Sequence, residues 1–309
     1  MKAFRKSCRL MGSSFELCIV SNNEAYALQN IEKGISEIRR IEHLLTEFSE
    51  DSFTSQINRQ SGLFPVEVPN EFFQLVQRSI QISKLTKGYF DLTVGPLKKL
   101  FKFDRKEFLM PSKKTIRKTL ELVGFKHIEL NSTTGTIFCK QKNMRISFAA
   151  IGKGYAADMV KKMWLNENIT SGFINASGDL TAFGTNENSE PWKIGIANPD
   201  QQDQLLFYVP LNNASVATSG DSEQHFLHKG RRYSHNINPK TGMPLQGLKS
   251  VSVFSPSAEL SDAFATAIYA MEKSKALAFI NQLPQTHAIL IDDKNNVSFS
   301  KNLNYEVVA

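Results

Sequence analysis

Apolar residues in this chain recur first with a helical period and then, from His127, with a period of two. That grouping constrains the fold more than any other feature. Leu28, Ile31, Ile35, Ile38, Leu45 and Phe48 stand three, four or seven apart and predict one long helix. A second helix is predicted over 71–86, after Pro69-Asn70 and before Gly88, and a third over 113–123, between Ser112 and Gly124. A strand is predicted earlier, over 14–20. His127–Leu130, Thr136–Lys140 and Met144–Phe148 then alternate as strands, separated by Asn131–Gly135 and Asn143. Gly152-Lys153-Gly154 leads into a helix to about Asn166, short strands fill 172–256, and helices follow over 260–271 and 274–282. A strand pair around Asp292–Asn296 closes the chain. Helices and strands come in blocks, which favours α+β over an alternating α/β order.

The 309 residues allow one large domain or two. No repeat or linker divides them, so we expect one unit over 1–309, with two intertwined α+β subdomains as the alternative. With 41% apolar and 22% charged residues, the chain is not mainly disordered. Cys8, Cys18 and Cys139 have no zinc-site spacing and are expected to be reduced thiols. No apolar run approaches 18 residues, so no transmembrane segment is predicted. Four basic residues near the N-terminus precede no apolar run, so no signal peptide is predicted. The expectation is a cytoplasmic protein, or a periplasmic or membrane-anchored one if a leader has been removed.

The net charge of +7 is concentrated. Lys98, Lys99, Lys102, Arg105, Lys106, Lys113, Lys114, Arg117 and Lys118 face only Asp104 and Glu107, a local excess equal to that of the whole chain. Phe101, Phe103 and Phe108 interleave with them, as a nucleic-acid surface would require. No nucleic-acid motif accompanies the run. We expect a solvated surface outside any active site, with no nucleic-acid partner.

Three constellations could carry chemistry. Asp262 and Thr266 are four apart on a predicted helix and share a face, offering two hard oxygen ligands to Mg²⁺ or Ca²⁺. The plainer reading is a helix cap and a packed methyl group. Ala149–Tyr155 joins a strand to a helix; its small residues and Lys153 suit an anion at the helix start, or simply tight packing. His235 ends a strand before the Pro239-Lys240-Thr241-Gly242 turn. It could hold phosphate, move a proton, or be structural. His225, His228 and His287 lack such a setting.

Taken in order, these stretches resemble the ApbE-type FAD:protein FMN transferases, over nearly the whole chain. The resemblance begins with Met11-Gly12-Ser13 and Gly88-Tyr89-Phe90-Asp91-Leu92-Thr93-Val94-Gly95-Pro96-Leu97. It continues through Ala150-Ile151-Gly152-Lys153-Gly154-Tyr155-Ala156-Ala157-Asp158 and Asn175-Ala176-Ser177-Gly178-Asp179. Ala217-Thr218-Ser219-Gly220, Tyr233-Ser234-His235, Pro239-Lys240-Thr241-Gly242 and Asp262-Ala263-Phe264-Ala265-Thr266-Ala267 complete it. It implies an ApbE-like flavin transferase fold, with mixed sheets and helices packed on them, and a single catalytic unit.

It also implies a reaction: FAD is cleaved at its pyrophosphate, FMN passes to a Thr or Ser hydroxyl of a target protein, and AMP leaves. The partners are thus FAD and a flavin-accepting protein. The metal, Mg²⁺ with Ca²⁺ or Mn²⁺ as alternatives, falls to the Ala150 carbonyl, Asp262 and Thr266. FAD contacts carry over to Met11, Phe90, Asp91, Leu92, Thr93, Ser147, Lys153, His235 and Ile237, with Lys153 as the diphosphate partner. Asp262 and His235 are the catalytic candidates. No nucleophile on the chain itself is expected, although Thr218, Ser219 and Ser234 lie in motifs. The chain departs from the family at Ser147, where Asp is common, at Ser177 for a Gly, and at Asn238 for an Asp. A metal-dependent FAD pyrophosphatase and a non-catalytic flavin-binding protein are the rival readings.

Overall fold

The computed structural model describes residues 1–101, 110–220, 225–228 and 231–308. Strands β1 (Lys2–Leu10) and β2 (Ser13–Ser21) form a hairpin. Helices α1 (Glu24–Leu45) and α2 (Phe53–Gln60) follow, then β3 (Val66–Glu67), α3 (Asn70–Leu85), α4 (Gly95–Phe101) and α5 (Lys113–Leu120). β4 (Ile128–Asn131) and β5 (Thr136–Cys139) precede α6 (Gly152–Asn166). Then come β6 (Gly172–Ala176), β7 (Asp179–Phe183), β8 (Trp192–Asn198), β9 (Gln201–Leu211) and β10 (Ser215–Gly220). β11 (His225–His228), β12 (Arg231–Ser234), β13 (Leu248–Ser255), α7 (Ala258–Tyr269) and α8 (Lys273–Ile280) follow. β14 (His287–Asp292), β15 (Val297–Phe299) and β16 (Glu306–Val307) end the chain.

One eight-stranded sheet, in the order β1-β2-β6-β7-β10-β13-β14-β15, organises the molecule. Every ladder in it is antiparallel among the described residues. Alternate residues point to opposite faces, so the sheet feeds two cores. Phe15, Leu17, Ile174, Val251, Val253 and Leu290 face the core shared with α1, α6 and α7. Cys18, Phe173, Phe254, Ile289 and Ile291 face the other way, against Ile196, Val209 and Leu211 of the β16-β9-β8 sheet. A third, small core gathers Leu97, Phe101, Ile116 and Ile237 around α4 and α5. The β3-β5-β4 sheet and the β11-β12 hairpin complete the fold. No helix among the described residues is long and apolar enough to cross a membrane.

The structure corrects several expectations. Residues 144–148 form no strand. Side chains take the place of a partner strand: Asn58 Oδ1 accepts from the Ile146 amide at 2.7 Å, and Asn58 Nδ2 donates to the Ile146 carbonyl at 3.0 Å. The Ser61 hydroxyl donates to the Met144 carbonyl at 2.6 Å. α1 stops at Leu45, because Thr46 turns to an extended ψ of 142°, and Phe48 is 93% exposed rather than part of the helix stripe. α2 and α4 are too short to show a period in the sequence. In the basic segment, Lys113, Lys114, Arg117 and Lys118 are exposed on α5, but Lys98 lines the main cavity. Lys102, Phe103, Asp104, Arg105, Lys106, Glu107 and Phe108 lie outside the described residues.

Candidate active site

The β1–β2 hairpin turns on two residues, Met11 and Gly12, with φ of +50° and +75°. Two positive φ values make a primed turn, which matches the strands' own twist. Glycine adopts that backbone freely; Met11 does so at a cost. The turn places Met11 in a cavity of about 530 Å³, whose wall includes Glu47, Phe48, Ser147 and Lys153. The Ser147 hydroxyl donates to Glu47 Oε1 at 3.1 Å, and Arg145 Nη2 lies 3.3 Å from Glu47 Oε2. The Ser147 hydroxyl thereby engages a carboxylate just beyond the end of α1.

A second cavity, of about 570 Å³, adjoins the first, and Ala149 and Lys153 line both. Ala150, Lys153, His235, Asp262 and Thr266 all line it. Two helix starts build it. A Cβ on Gly154 would overlap the Ala258 carbonyl, so the first turns of α6 and α7 lie in direct contact. Asp158 on α6 ties them together. Its carboxylate accepts from the Ser257 hydroxyl at 2.7 Å and from the Ala258 and Glu259 amides at 2.9 Å each. From α3, Arg78 makes a forked pair to Glu259 at 2.8 and 2.9 Å. α7 is thereby clamped, with Asp262 one turn and Thr266 two turns beyond its start.

Asp262 Oδ2 accepts from the Gly154 amide at 3.3 Å, and Thr266 Oγ1 lies 3.4 Å from Ser219 Oγ. Burial first, and then the neighbouring Asp179, push the Asp262 carboxyl above the usual carboxylate range. Lys153 Nζ lies 2.7 Å from Asp179 Oδ2, while Asp179 Oδ1 accepts from the Thr218 amide at 3.0 Å. A buried carboxylate with a second acid nearby and a hydroxyl on the same wall is a hard-oxygen set short of protein ligands. It fits Mg²⁺, which usually keeps positions for water and substrate phosphates. No cluster of three or more His, Cys, Asp or Glu suited to a metal occurs among the described residues.

His235 is held on this cavity by the turn that follows it. Ser234 N donates to Leu245 O at 3.0 Å, Leu245 N to Asn236 O at 2.9 Å, and Asn238 N to Met243 O at 2.8 Å. Ser234 itself is buried, its hydroxyl accepting from the Asn236 amide at 3.1 Å. The side chains of His225 and His228 lie outside the described set, and His287 Nδ1 meets the Lys301 carbonyl at 3.0 Å.

Other residues assigned to FAD lie behind the cavities. Phe90, Asp91, Leu92, Thr93 and Ile237 are buried and line neither cavity. Asp91 accepts from Thr93 Oγ1 at 2.6 Å and from the amides of Thr93 and Phe125 at 2.9 Å. Burial raises its pKa, so it behaves as an internal brace. The Leu92 carbonyl accepts from the Ser147 amide at 2.8 Å and so supports the cavity wall from behind. The side-chain polar atoms of Asp91 and Thr93 are spent on the chain itself, and all five side chains stand behind the cavity walls. The sequence alone did not point to Glu47, to Lys98 as a cavity residue, or to the wall formed by residues 194–198 of β8 and Pro199. Asp179 stood in a motif with no role evident from its spacing. A carboxylate spaced 100 residues from its serine partner leaves no local signal.

The ApbE family model matches residues 11–291. A FAD:protein FMN transferase of Klebsiella pneumoniae is 31% identical over 97% of this chain and 92% of its own length. One of Salmonella typhimurium is 26% identical over 93% and 89%. The crystal structure of the ApbE protein of Thermotoga maritima superposes with a TM-score of 0.89 at 26% identity, covering 97% of both chains. The apo flavinyl transferase ApbE of Pseudomonas stutzeri gives 0.86 at 26% identity, over 97% of this chain and 95% of its own. With the family model matching residues 11–291 and a relative 31% identical along 97% of its length, this chain belongs to the ApbE family.

Proposed function

We propose that this protein moves FMN from FAD to a Thr or Ser hydroxyl of a target protein and releases AMP. It is a transferase of the FAD:protein FMN transferase type, as its relatives are named. The observation that carries the finer reading is the pair of adjoining cavities. One has Met11 and Phe48 on its wall and suits flat flavin rings. The other brings Lys153 together with Asp262 and Thr266 and suits a diphosphate. Lys153, on the wall common to both, is placed for the diphosphate between them.

Asp262, Thr266 and the Ala150 carbonyl would hold a divalent metal, for which Mg²⁺ is the best fit. Bound there, it would neutralise charge on the transferring phosphoryl group. The chain's own residues position and screen. Lys153 offers N–H donors to phosphate oxygens, with Asp179 fixing its direction. His235 stands on the same wall, placed to hold a phosphate or accept the proton of the incoming hydroxyl. The enzyme needs no covalent intermediate, because a positioned hydroxyl can displace AMP directly.

The test is incubation with FAD and Mg²⁺, with and without a candidate acceptor domain, read by mass spectrometry and by AMP release. An acceptor gaining FMN in step with AMP supports the reading. AMP and free FMN at the same rate without an acceptor would make the protein a pyrophosphatase instead.

A further inference from the structure

Lys98 sits in α4, directly after the fully buried Leu97, and its half-buried side chain lines the diphosphate cavity. Its ammonium group makes no hydrogen bond or ion pair among the described residues, unlike that of Lys153, which touches Asp179. The opposing charges it feels are Glu47 and Asp262, neither in contact with it. Burial lowers its pKa, and no carboxylate in contact offsets that. Keeping a cation there without a contacting carboxylate is unfavourable unless an anion completes the site.

The position of that anion follows from the two carboxylates. Glu47 belongs to the wall of the less polar cavity and Asp262 to that of the polar one. Gly95, one turn before Lys98 on α4, packs against Arg145, whose guanidinium pairs with Glu47, while Lys98 itself lines the polar cavity; this sets Lys98 on the side of that cavity facing the first, near the junction. FAD lying with its rings in the first cavity and its diphosphate in the second brings its FMN-side phosphate to that junction. We propose that Lys98 binds the FMN-side phosphate of FAD, the group that is transferred, as a second cation distinct from Lys153. The assignment rests on the transferase reading. It takes Lys98 out of the basic surface run and makes it a substrate-binding residue.

The experiment is calorimetric titration of riboflavin, FMN, AMP and FAD into the full chain, with divalent metal chelated so that FAD stays intact. Lys98→Met should weaken FMN and FAD about tenfold or more, the worth of a charge-assisted hydrogen bond. Riboflavin and AMP should change less than twofold, and Lys98→Arg should restore most of the FMN affinity. Unchanged FMN binding overturns the proposal. An equal loss for riboflavin would make Lys98 a packing residue, and a selective loss for AMP would move it to the other phosphate; both outcomes also overturn it. Should Lys98→Met fold poorly, Lys98→Gln answers the same question, with circular dichroism as the check. A wild-type chain that binds neither FAD nor FMN would instead overturn the transferase reading.

Discussion

Replacing Asp158 by alanine should separate α7 from α6 while touching no residue that lines either cavity. The carboxylate accepts two first-turn amides of α7 and the Ser257 hydroxyl. First-turn amides have no acceptor inside their own helix, and Ala258 and Glu259 are both buried. A hydrogen bond to a charged acceptor contributes about 1.5–3 kcal/mol, and a negative charge at a helix start about 0.3–1 kcal/mol more. Ser257 keeps part of the cap, since its hydroxyl also accepts from the Leu260 amide at 3.3 Å. Water also reaches the half-buried Asp158 site. Two amides at about half value, plus the helix-start charge, give a loss of roughly 2–4 kcal/mol. Asp158→Asn should lose about half as much. Its one oxygen can serve the Glu259 amide, but its NH₂ then faces the Ala258 amide, donor against donor. Urea denaturation measures both, as a fall in midpoint with unchanged slope. A loss below about 0.5 kcal/mol for Asp158→Ala, or equal losses for the two variants, would refute the clamp.

Three further outcomes are expected. Asp262→Ala should lower FMN transfer by at least about 100-fold, yet leave the unfolding temperature equal or higher, because it removes a buried carboxylate beside Asp179; full activity in Mg²⁺ would defeat the metal assignment. Glu71 has its pKa held down chiefly by its hydrogen bond from Arg40 and also by Tyr155, against the opposing effect of burial. A lowered folded pKa gives stability that is full above the unfolded value near 4.3 and lost as pH falls through the folded one. The gap in stability between Arg40→Met and wild type should therefore be full at pH 7 and shrink as acid protonates Glu71, as read by denaturation across pH; a gap that does not change with pH would contradict this. Intact-mass analysis of enzyme quenched during turnover should show no added FMN; an adduct that chases into the acceptor would make Thr218, Ser219 or Ser234 a nucleophile.

Much of the fold was legible because burial imposed a period. Ile31, Ile35 and Ile38 face one core and marked α1, and the glycines at 152 and 154 marked the start of α6. Residues 144–148 misled for a physical reason. They alternate as a strand does, yet their backbone is satisfied by Asn58 and Ser61 from far upstream. In the site, the acid and hydroxyl on α7 could be found from helical spacing, and the family likeness supplied a use for them. Lys98 was hidden by its company. Eight other basic residues nearby made a charge run of it, and only three-dimensional placement separates a cavity lysine from solvated ones. Phe90 to Thr93 were easily marked as a motif, but that Asp91, Thr93 and the Leu92 carbonyl brace a wall from behind could not be read from their order.

The order of strands in the large sheet carries a cost in time. β2 is made almost at once, but its second neighbour, β6, arrives only when Gly172 is available to meet Ile19. At about 5–20 residues per second on the ribosome, that wait is on the order of 10–30 s. Throughout it, the β1–β2 hairpin leaves unpaired the edge of β2 that β6 will cover, with Leu17, Cys18 and Ile19 along it. An open apolar edge is a template for wrong partners. α1 follows immediately and can cover one face of the hairpin, but no helix can pair the edge. The nascent chain is therefore most exposed to aggregation between the completion of α1 and the synthesis of β6, so slowed translation in that interval should lower the soluble yield of this protein more than slowed translation after it.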